Sequence, residues 1–326
     1  MNISYLPSGG LIVNYRCPAS CGHCMYGSSP SAEPGYMAKD VCEYICKKLY
    51  SMNCRGLHIG GGEPFLNIDG LVDAIKIIKK SGIPLDYIET NGAWVTDDIN
   101  KNIDILSRVA SAGGDTIMVS ADPFHLSFIP PKKPKILVGL LQKMGFSYFI
   151  WQERYWKMLL ALDENKVYTP NELHKALGYD IYDKCAREYG MGFNGRALNL
   201  LRNFPQTEFK NADAFISKHP CRELSNTSHF HVDYLKRYVV PGCTGMGVLL
   251  EDLGQPLCNK KYPVMSRLQE GGTAGLLGYA ESLGYDSRDR YASRCDLCFK
   301  ARKYLAVNEP GSHPDLTPGA YYRQDY

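Results

Sequence analysis

Over the first two-thirds of the chain, short apolar strand-like runs alternate with longer helix-like segments. Residues 10–15 read as a first strand, followed by a helix near 38–52 and a second strand at 56–59 that closes on Gly60-Gly61-Gly62. A helix over 68–81, a strand over 85–89, a helix near 97–112 and an apolar strand at 116–120 continue the alternation. A proline-rich loop at 130–134 opens the next helix; a strand at 147–151, helical segments to about Tyr189 and a sixth strand around 191–198 follow. Strands separated by helices predict βα units on a parallel sheet, hence an α/β fold.

From about Pro205 the pattern changes. Residues 229–240 read as a β-hairpin, and the tail from Pro310, rich in Pro, Gly and Tyr, reads as irregular. The expected division is therefore 1–204 and 205–326, in keeping with 326 residues and a prior of about 150 residues per domain.

Composition narrows the classes. The apolar fraction of 44% supplies a sizeable core, so no disulfide scaffold is needed to replace one. With 37 basic and 34 acidic residues spread along the chain, no basic tract marks a nucleic-acid surface. Neither an export signal nor a membrane-spanning apolar run is found, so the expected partners include no membrane and the expected location is the cytoplasm. Twelve cysteines then point to metal sites rather than to disulfides.

Cys17, Cys21 and Cys24 fall in a short loop after the first strand. A loop of this length turns three sulfurs inward onto one iron–sulfur cube and leaves its fourth iron open, an arrangement that suggests chemistry rather than electron storage. The spacing alone also allows a zinc knuckle or unligated thiols. The C-x3-C-x2-C pattern after the first strand resembles the signature of the radical S-adenosylmethionine (radical SAM) superfamily. That resemblance implies a partial (β/α)6 TIM-type barrel and a SAM-binding [4Fe–4S] cluster. It also implies reductive cleavage of SAM to a 5′-deoxyadenosyl radical that takes hydrogen from a substrate.

Further motifs extend the resemblance over about residues 10–200. Gly61, Gly62 and Glu63 match the family's GGE segment: glycines allow close approach of backbone, and Glu63 is expected to accept from the cofactor's ammonium. Asn91 ends the third strand in a Thr-Asn-Gly turn beside the cofactor. Ser120 and Asp122 end the fourth, where relatives hold the ribose hydroxyls. Taken singly, each of these is ordinary turn chemistry. His23 stands where an aromatic often packs on the adenine, and Arg196, in Gly-Arg-Ala, is expected near the cofactor's carboxylate or on the surface. His125 is the candidate for substrate contact or proton transfer.

Cys295 and Cys298 form a C-x2-C pair, with Cys221, Cys243 and Cys258 upstream. The arrangement resembles the Twitch domain, a shortened SPASM domain, which holds one auxiliary [4Fe–4S] cluster. The hairpin favours Cys221 and Cys243 as its ligands beside Cys295 and Cys298. Cys258 is an alternative to Cys221, zinc on the same ligands remains open, and the glycine usual in the hairpin turn is missing from Leu235-Lys236-Arg237. Cys42, Cys46, Cys54 and Cys185 read as packing, and His229 with His231 as one face of the hairpin, structural or substrate-facing.

The resemblance implies an enzyme that oxidises or cross-links a peptide or small metabolite, with a flavodoxin- or ferredoxin-type electron donor. The triad begins at Cys17 with no peptide-recognition domain before it, which tips the expectation toward a small or partner-presented substrate. The rivals are a non-enzymatic iron–sulfur electron carrier and a zinc-binding interaction protein. Both leave Gly61, Glu63, Ser120 and Asp122 at successive strand ends unexplained.

Overall fold

A computed structural model describes residues 2–188 and 192–323. Strands β1 (Ser8–Ile12), β2 (Gly56–Gly60), β3 (Leu85–Thr90), β4 (Thr116–Ser120) and β5 (Ser147–Trp151) pair in parallel with their neighbours. Helices α1 (Lys39–Ser51), α2 (Ile68–Ser81), α3 (Ile99–Ala112) and α4 (Lys132–Met144) are the crossovers. Their starts and stops are written locally. Asn67 and Asp98 cap the N-termini of α2 and α3, and Gly82, Gly113 and Gly145 end α2, α3 and α4 in the left-handed conformation.

Alternation along each strand decides what it shows to either side. Leu11, Leu57, Ile59, Ile88, Ile117 and Val119 are fully buried in the main core beneath the helices. Gly10, His58, Tyr87, Glu89, Met118, Ser120 and Trp151 take the intervening positions, and this second face carries the cavity described below. Among the described residues the fold is thus α/β, with an open parallel sheet and helices on one side.

The sixth strand expected at 191–198 is not formed: Met191 lies outside the described residues, residues 192–194 are irregular, and Ala197–Asn203 is a helix. Its apolar run, Ala-Leu-Asn-Leu-Leu, suits a helix once the turn at Gly195 has redirected the chain. The sheet grows at its other edge instead. Strand Phe230–Asp233 pairs in parallel with β1, then antiparallel with Arg237–Val239, which pairs with Gly247–Leu249. One eight-stranded sheet therefore runs across the expected boundary at 204. In the hairpin turn Lys236 adopts the left-handed conformation that glycine would favour, and Asp233 Oδ1 holds it by accepting from the N–H groups of Leu235 and Arg237, both at 3.0 Å.

β1 ends at Ile12, three residues short of the expected limit, because the next backbone groups pair with the end of β2 rather than with a ladder. The Gly62 N–H donates to the Asn14 carbonyl at 2.9 Å and to its side-chain Oδ1 at 3.1 Å, and the Glu63 N–H donates to Arg16 O at 3.0 Å. Asn14 Nδ2 returns a bond to Glu63 O at 3.1 Å. This seam fixes the residues immediately before Cys17. A Cβ on Gly62 would lie 2.0 Å from the Arg16 carbonyl oxygen, and one on Gly61 2.5 Å from that of Asn14, so both glycines are required by backbone meeting backbone.

Gly62→Ala is therefore expected to destabilise the apoprotein by about 1–3 kcal/mol, since no flexible side chain can give way. Urea unfolding measures this; a variant as stable as the parent would refute the seam.

Candidate active site

The cavity on the inner face has a volume of about 360 Å³ and is lined by all three cysteines of the triad together with strand-end groups from β2, β3 and β4. Cys17 and Cys21 are buried and Cys24 is half-buried. Asn91 Nδ2 donates to Cys17 Sγ at 3.3 Å, and the Ala19 N–H approaches the same sulfur at 3.4 Å. Burial, followed by the charge of Glu63, pushes the Cys17 thiol well above its ordinary range. Without a cationic partner this sulfur stays protonated.

Glu63 is fully buried and turned away from the cavity. Oε1 accepts from the Phe65 N–H (3.1 Å) and Thr90 Oγ1 (2.9 Å); Oε2 accepts from the Asn91 N–H (2.9 Å) and Thr90 Oγ1 (3.1 Å). Its carboxylate thus ties the end of β2 to the Thr90–Asn91 turn and so aims Asn91 at Cys17. Burial pushes its pKa up to about 7 against these bonds.

Asp122 is likewise fully buried and absent from the lining, whereas Ser120 lines the cavity. Asp122 Oδ1 accepts from the backbone of Phe124 and His125 and meets His125 Nδ1 at 2.9 Å. Burial opposes its charge, but His125, then His23, hold its pKa well below the carboxylate range. Burial likewise works against the His125 cation, and Asp122 with Cys21 raises its pKa well above the imidazole range. The ring thus bridges Asp122 and the Cys21 thiol.

His23 lines the cavity and stacks on Phe124 at 4.6 Å. Burial lowers its pKa to about 4, so it is neutral. Arg196 does not reach the cavity: Nη1 donates to Cys21 O at 3.0 Å and Nη2 to Ser28 O at 3.1 Å, closing the cysteine loop from behind.

Two lining atoms, His23 Nδ1 and Ser28 Oγ, are buried without a protein hydrogen-bond partner. Buried polar groups are almost always satisfied, so these point to a bound polar group. Among the described residues no three sulfurs of the triad lie within 4.8 Å of one another. A tetrahedral zinc–thiolate site has edges of roughly 3.8 Å. The triad is thus spaced more widely than a single zinc requires, and it fits a [4Fe–4S] cube with SAM beside it.

A second thiol group forms between the hairpin and helix Arg294–Asn308. Burial first, then the neighbouring thiols, pushes Cys243 up to about 12 and Cys295 and Cys298 to about 11. Cys221 is within electrostatic reach of all three, while Cys258 answers to Lys260 and Lys261; exposure does not separate the candidates, since Cys295 and Cys258 are both exposed. Arg302, almost fully buried, sits against Cys243 and Cys298 and donates from Nη1 to Thr244 O (3.1 Å) and Tyr322 Oη (2.8 Å). Four cysteines are thus gathered near one buried cation. Here too no three sulfurs lie within 4.8 Å.

Cys42 and Cys46 hydrogen-bond each other inside α1, and with Cys54 and Cys185 they are buried. Sequence reasoning passed over His58, Tyr87, Glu89 and Trp151, which line or border the cavity. Their signal was present: each alternates with an apolar residue on a short strand.

Residues 11–127 match the Radical SAM superfamily. That superfamily works with a [4Fe–4S] cluster and SAM. Over 114 residues the chain is 26% identical to "Putative peptide biosynthesis protein YydG" of Bacillus subtilis (strain 168), a match that takes in 35% of this chain and 35% of that protein. Among solved structures, SuiB of Streptococcus suis bound to S-adenosylmethionine is similar at a TM-score of 0.45 and 13% identity, over 85% of this chain and 75% of that one. BtrN in complex with AdoMet and 2-DOIA is similar at a TM-score of 0.43 and 15% identity, over 84% and 90%.

The Glu63 clamp has a measurable pH signature. Its folded pKa of about 7 exceeds its unfolded value, about 4.3. Its contribution to stability is then fully present below the unfolded value and is lost as pH rises through the folded one. Between about pH 5 and 8 the apoprotein should lose up to about 3 kcal/mol more than Glu63→Gln does. Parallel stability curves from urea unfolding would remove the clamp from this account.

Proposed function

We propose that the protein is a radical SAM enzyme that removes a hydrogen atom from a peptide, leading to its oxidation or cross-linking, and that it works in the cytoplasm with a flavodoxin- or ferredoxin-type donor. The carrying observation is the convergence of Cys17, Cys21 and Cys24 with Gly61, Gly62 and Ser120 on one cavity that holds the unpartnered His23 Nδ1 and Ser28 Oγ. The peptide rests on the name of the Bacillus relative, whose length is matched only in part.

When bound, the cluster and SAM supply one-electron cleavage of the sulfonium and with it hydrogen-atom abstraction. The chain's own groups hold and orient. In this reading the backbone of Gly61 and Gly62 would hold the amino-acid end of SAM, Ser120 would hold the ribose, and His23 and Trp151 would flank the adenine, all five lining the cavity. Glu63, Asp122 and Arg196 act as positioning residues: Glu63 through Asn91 on Cys17, Asp122 through His125 on Cys21, Arg196 through the loop carbonyls. His125 also lines the cavity and is the candidate for proton transfer to substrate. Residues 205–326 are read as the auxiliary-cluster segment, with Cys221, Cys243, Cys295 and Cys298 as ligands.

With a strong reductant and SAM, anaerobically loaded protein should release 5′-deoxyadenosine and methionine without any substrate. Cys17→Ala, Cys21→Ala or Cys24→Ala should abolish this. No 5′-deoxyadenosine from well-loaded parent protein under several reductants would sink the assignment.

Iron analysis tests the second site. The parent should hold about eight irons as two cubes. Cys221→Ser should bring this to about four, and Cys258→Ser should leave it unchanged. If Cys258→Ser is the variant that loses iron, the ligand set is wrong; zinc at this site would refute the auxiliary cluster alone.

A further inference from the structure

We propose that His58, His229 and His231 form a separate mononuclear site for a zinc-class divalent cation on the wall of the same cavity. The site follows from strand register. Gly10 of β1 stands level with His58 on one side and with His231 on the other. A Cβ on Gly10 would fall 2.2 Å from His58 Nε2. Without that side chain, imidazoles from two strands that are not neighbours meet across the third.

Their separation is that of a metal pair. His58 Nε2 and His231 Nε2 are 3.3 Å apart. Two nitrogens at 2.0–2.1 Å from a tetrahedral zinc are about 3.3–3.4 Å apart. His229 brings a third ring nitrogen, all three lying within 4.8 Å of one another; its ring stacks on that of His58 at 5.1 Å, so this exposed side chain has to turn to aim its nitrogen at a shared ion. Tyr87 stacks on the buried His58 at 4.8 Å and Tyr26 meets the half-buried His231 edge-on at 5.6 Å, so both rings are held in place. Burial keeps all three imidazoles below their ordinary pKa, which leaves lone pairs available. Burial pushes the pKa of Glu89 up to about 7; with its Oε1 3.4 Å from His58 Nε2, a bound cation would favour the ionised form and gain a compensating charge.

Three nitrogen ligands and no sulfur suit zinc, cobalt or nickel rather than a cluster iron. They also leave a fourth position, as in sites that take a ligand from solution. His229 and His231 line the cavity shared with the cysteine triad, so that position is within reach of whatever enters it. The proposal goes beyond the SAM reading and does not rest on it.

Cobalt(II) is the probe. Protein loaded with its iron–sulfur clusters, so that the thiols are occupied, is treated with a mild chelator and titrated anaerobically with Co2+. One equivalent should bind, with the visible bands of a tetrahedral nitrogen site and no thiolate-to-cobalt charge-transfer band. His229→Gln and His231→Gln should each weaken binding by more than about a hundredfold, and Glu89→Gln by about 10- to 100-fold. Unchanged iron content shows that the variants are folded; should His231→Gln fail to fold, the exposed His229 carries the test. No binding by the parent, a thiolate band, or His229→Gln binding as tightly as the parent would overturn the proposal. Any of these results leaves 5′-deoxyadenosine formation, measured separately, to speak for the SAM reading.

Discussion

The site depends on one seam, the hydrogen-bonded contact between Asn14–Arg16 and Gly61–Glu63. Cysteine ligands on a loop must be held as a set, because a cube tolerates little error in the direction of each sulfur. Here the loop is not left to fold around its metal. Its entry is tied to the end of β2 by Gly62 and Glu63, and its far side is closed by Arg196 on Cys21 O and Ser28 O. Removing both Cβ atoms at Gly61 and Gly62 lets two chains approach at hydrogen-bond distance, a geometry no other residue pair permits.

The same constraint explains why the carboxylates lie behind the cavity. Glu63 and Asp122 are fully buried, and each spends its oxygens on the backbone and on side-chain partners, Thr90 for Glu63 and His125 with His23 for Asp122. Those partners, Thr90 with the Asn91 turn and His125, then meet Cys17 and Cys21. Acidic groups so placed act one step removed from the cysteine sulfurs, where orientation and hydrogen bonding to the sulfurs are set.

Much of this was legible in the sequence, and the rest was hidden for identifiable reasons. Strands β2 to β5 and the hairpin fall where the apolar runs put them, because each run is short and bounded by glycine or polar residues. The segment at 191–198 misled because Ala-Leu-Asn-Leu-Leu satisfies helix and strand alike until its turn is known. Which way Glu63, Asp122 and Arg196 point was not legible, since at a strand end this depends on the path of the next two or three residues. The choice between Cys221 and Cys258 was a question of distance along the fold, which spacing along the chain does not answer. His58 was hardest to read, because its partner on strand Phe230–Asp233 is 173 residues away and is brought near only by parallel pairing with β1.

That pairing also changes how the C-terminal segment relates to the parallel strands. The hairpin extends the sheet beyond β1. Joined to β1 in register, it brings His229 and His231 to a cavity whose other wall is the cysteine loop. Among the described lining residues Glu89 is the only carboxylate, and no lysine or arginine is present. Burial holds His23, His229 and His231 neutral, and the one cationic ring on the wall, His125, is paired with Asp122 behind it, so the protein itself contributes little net charge there. In so neutral an enclosure the charges that matter are those a bound metal, cluster or sulfonium brings, and low local polarity strengthens their effect on one another. Sheet register, through one glycine, therefore sets the electrostatics of the site as well as its shape.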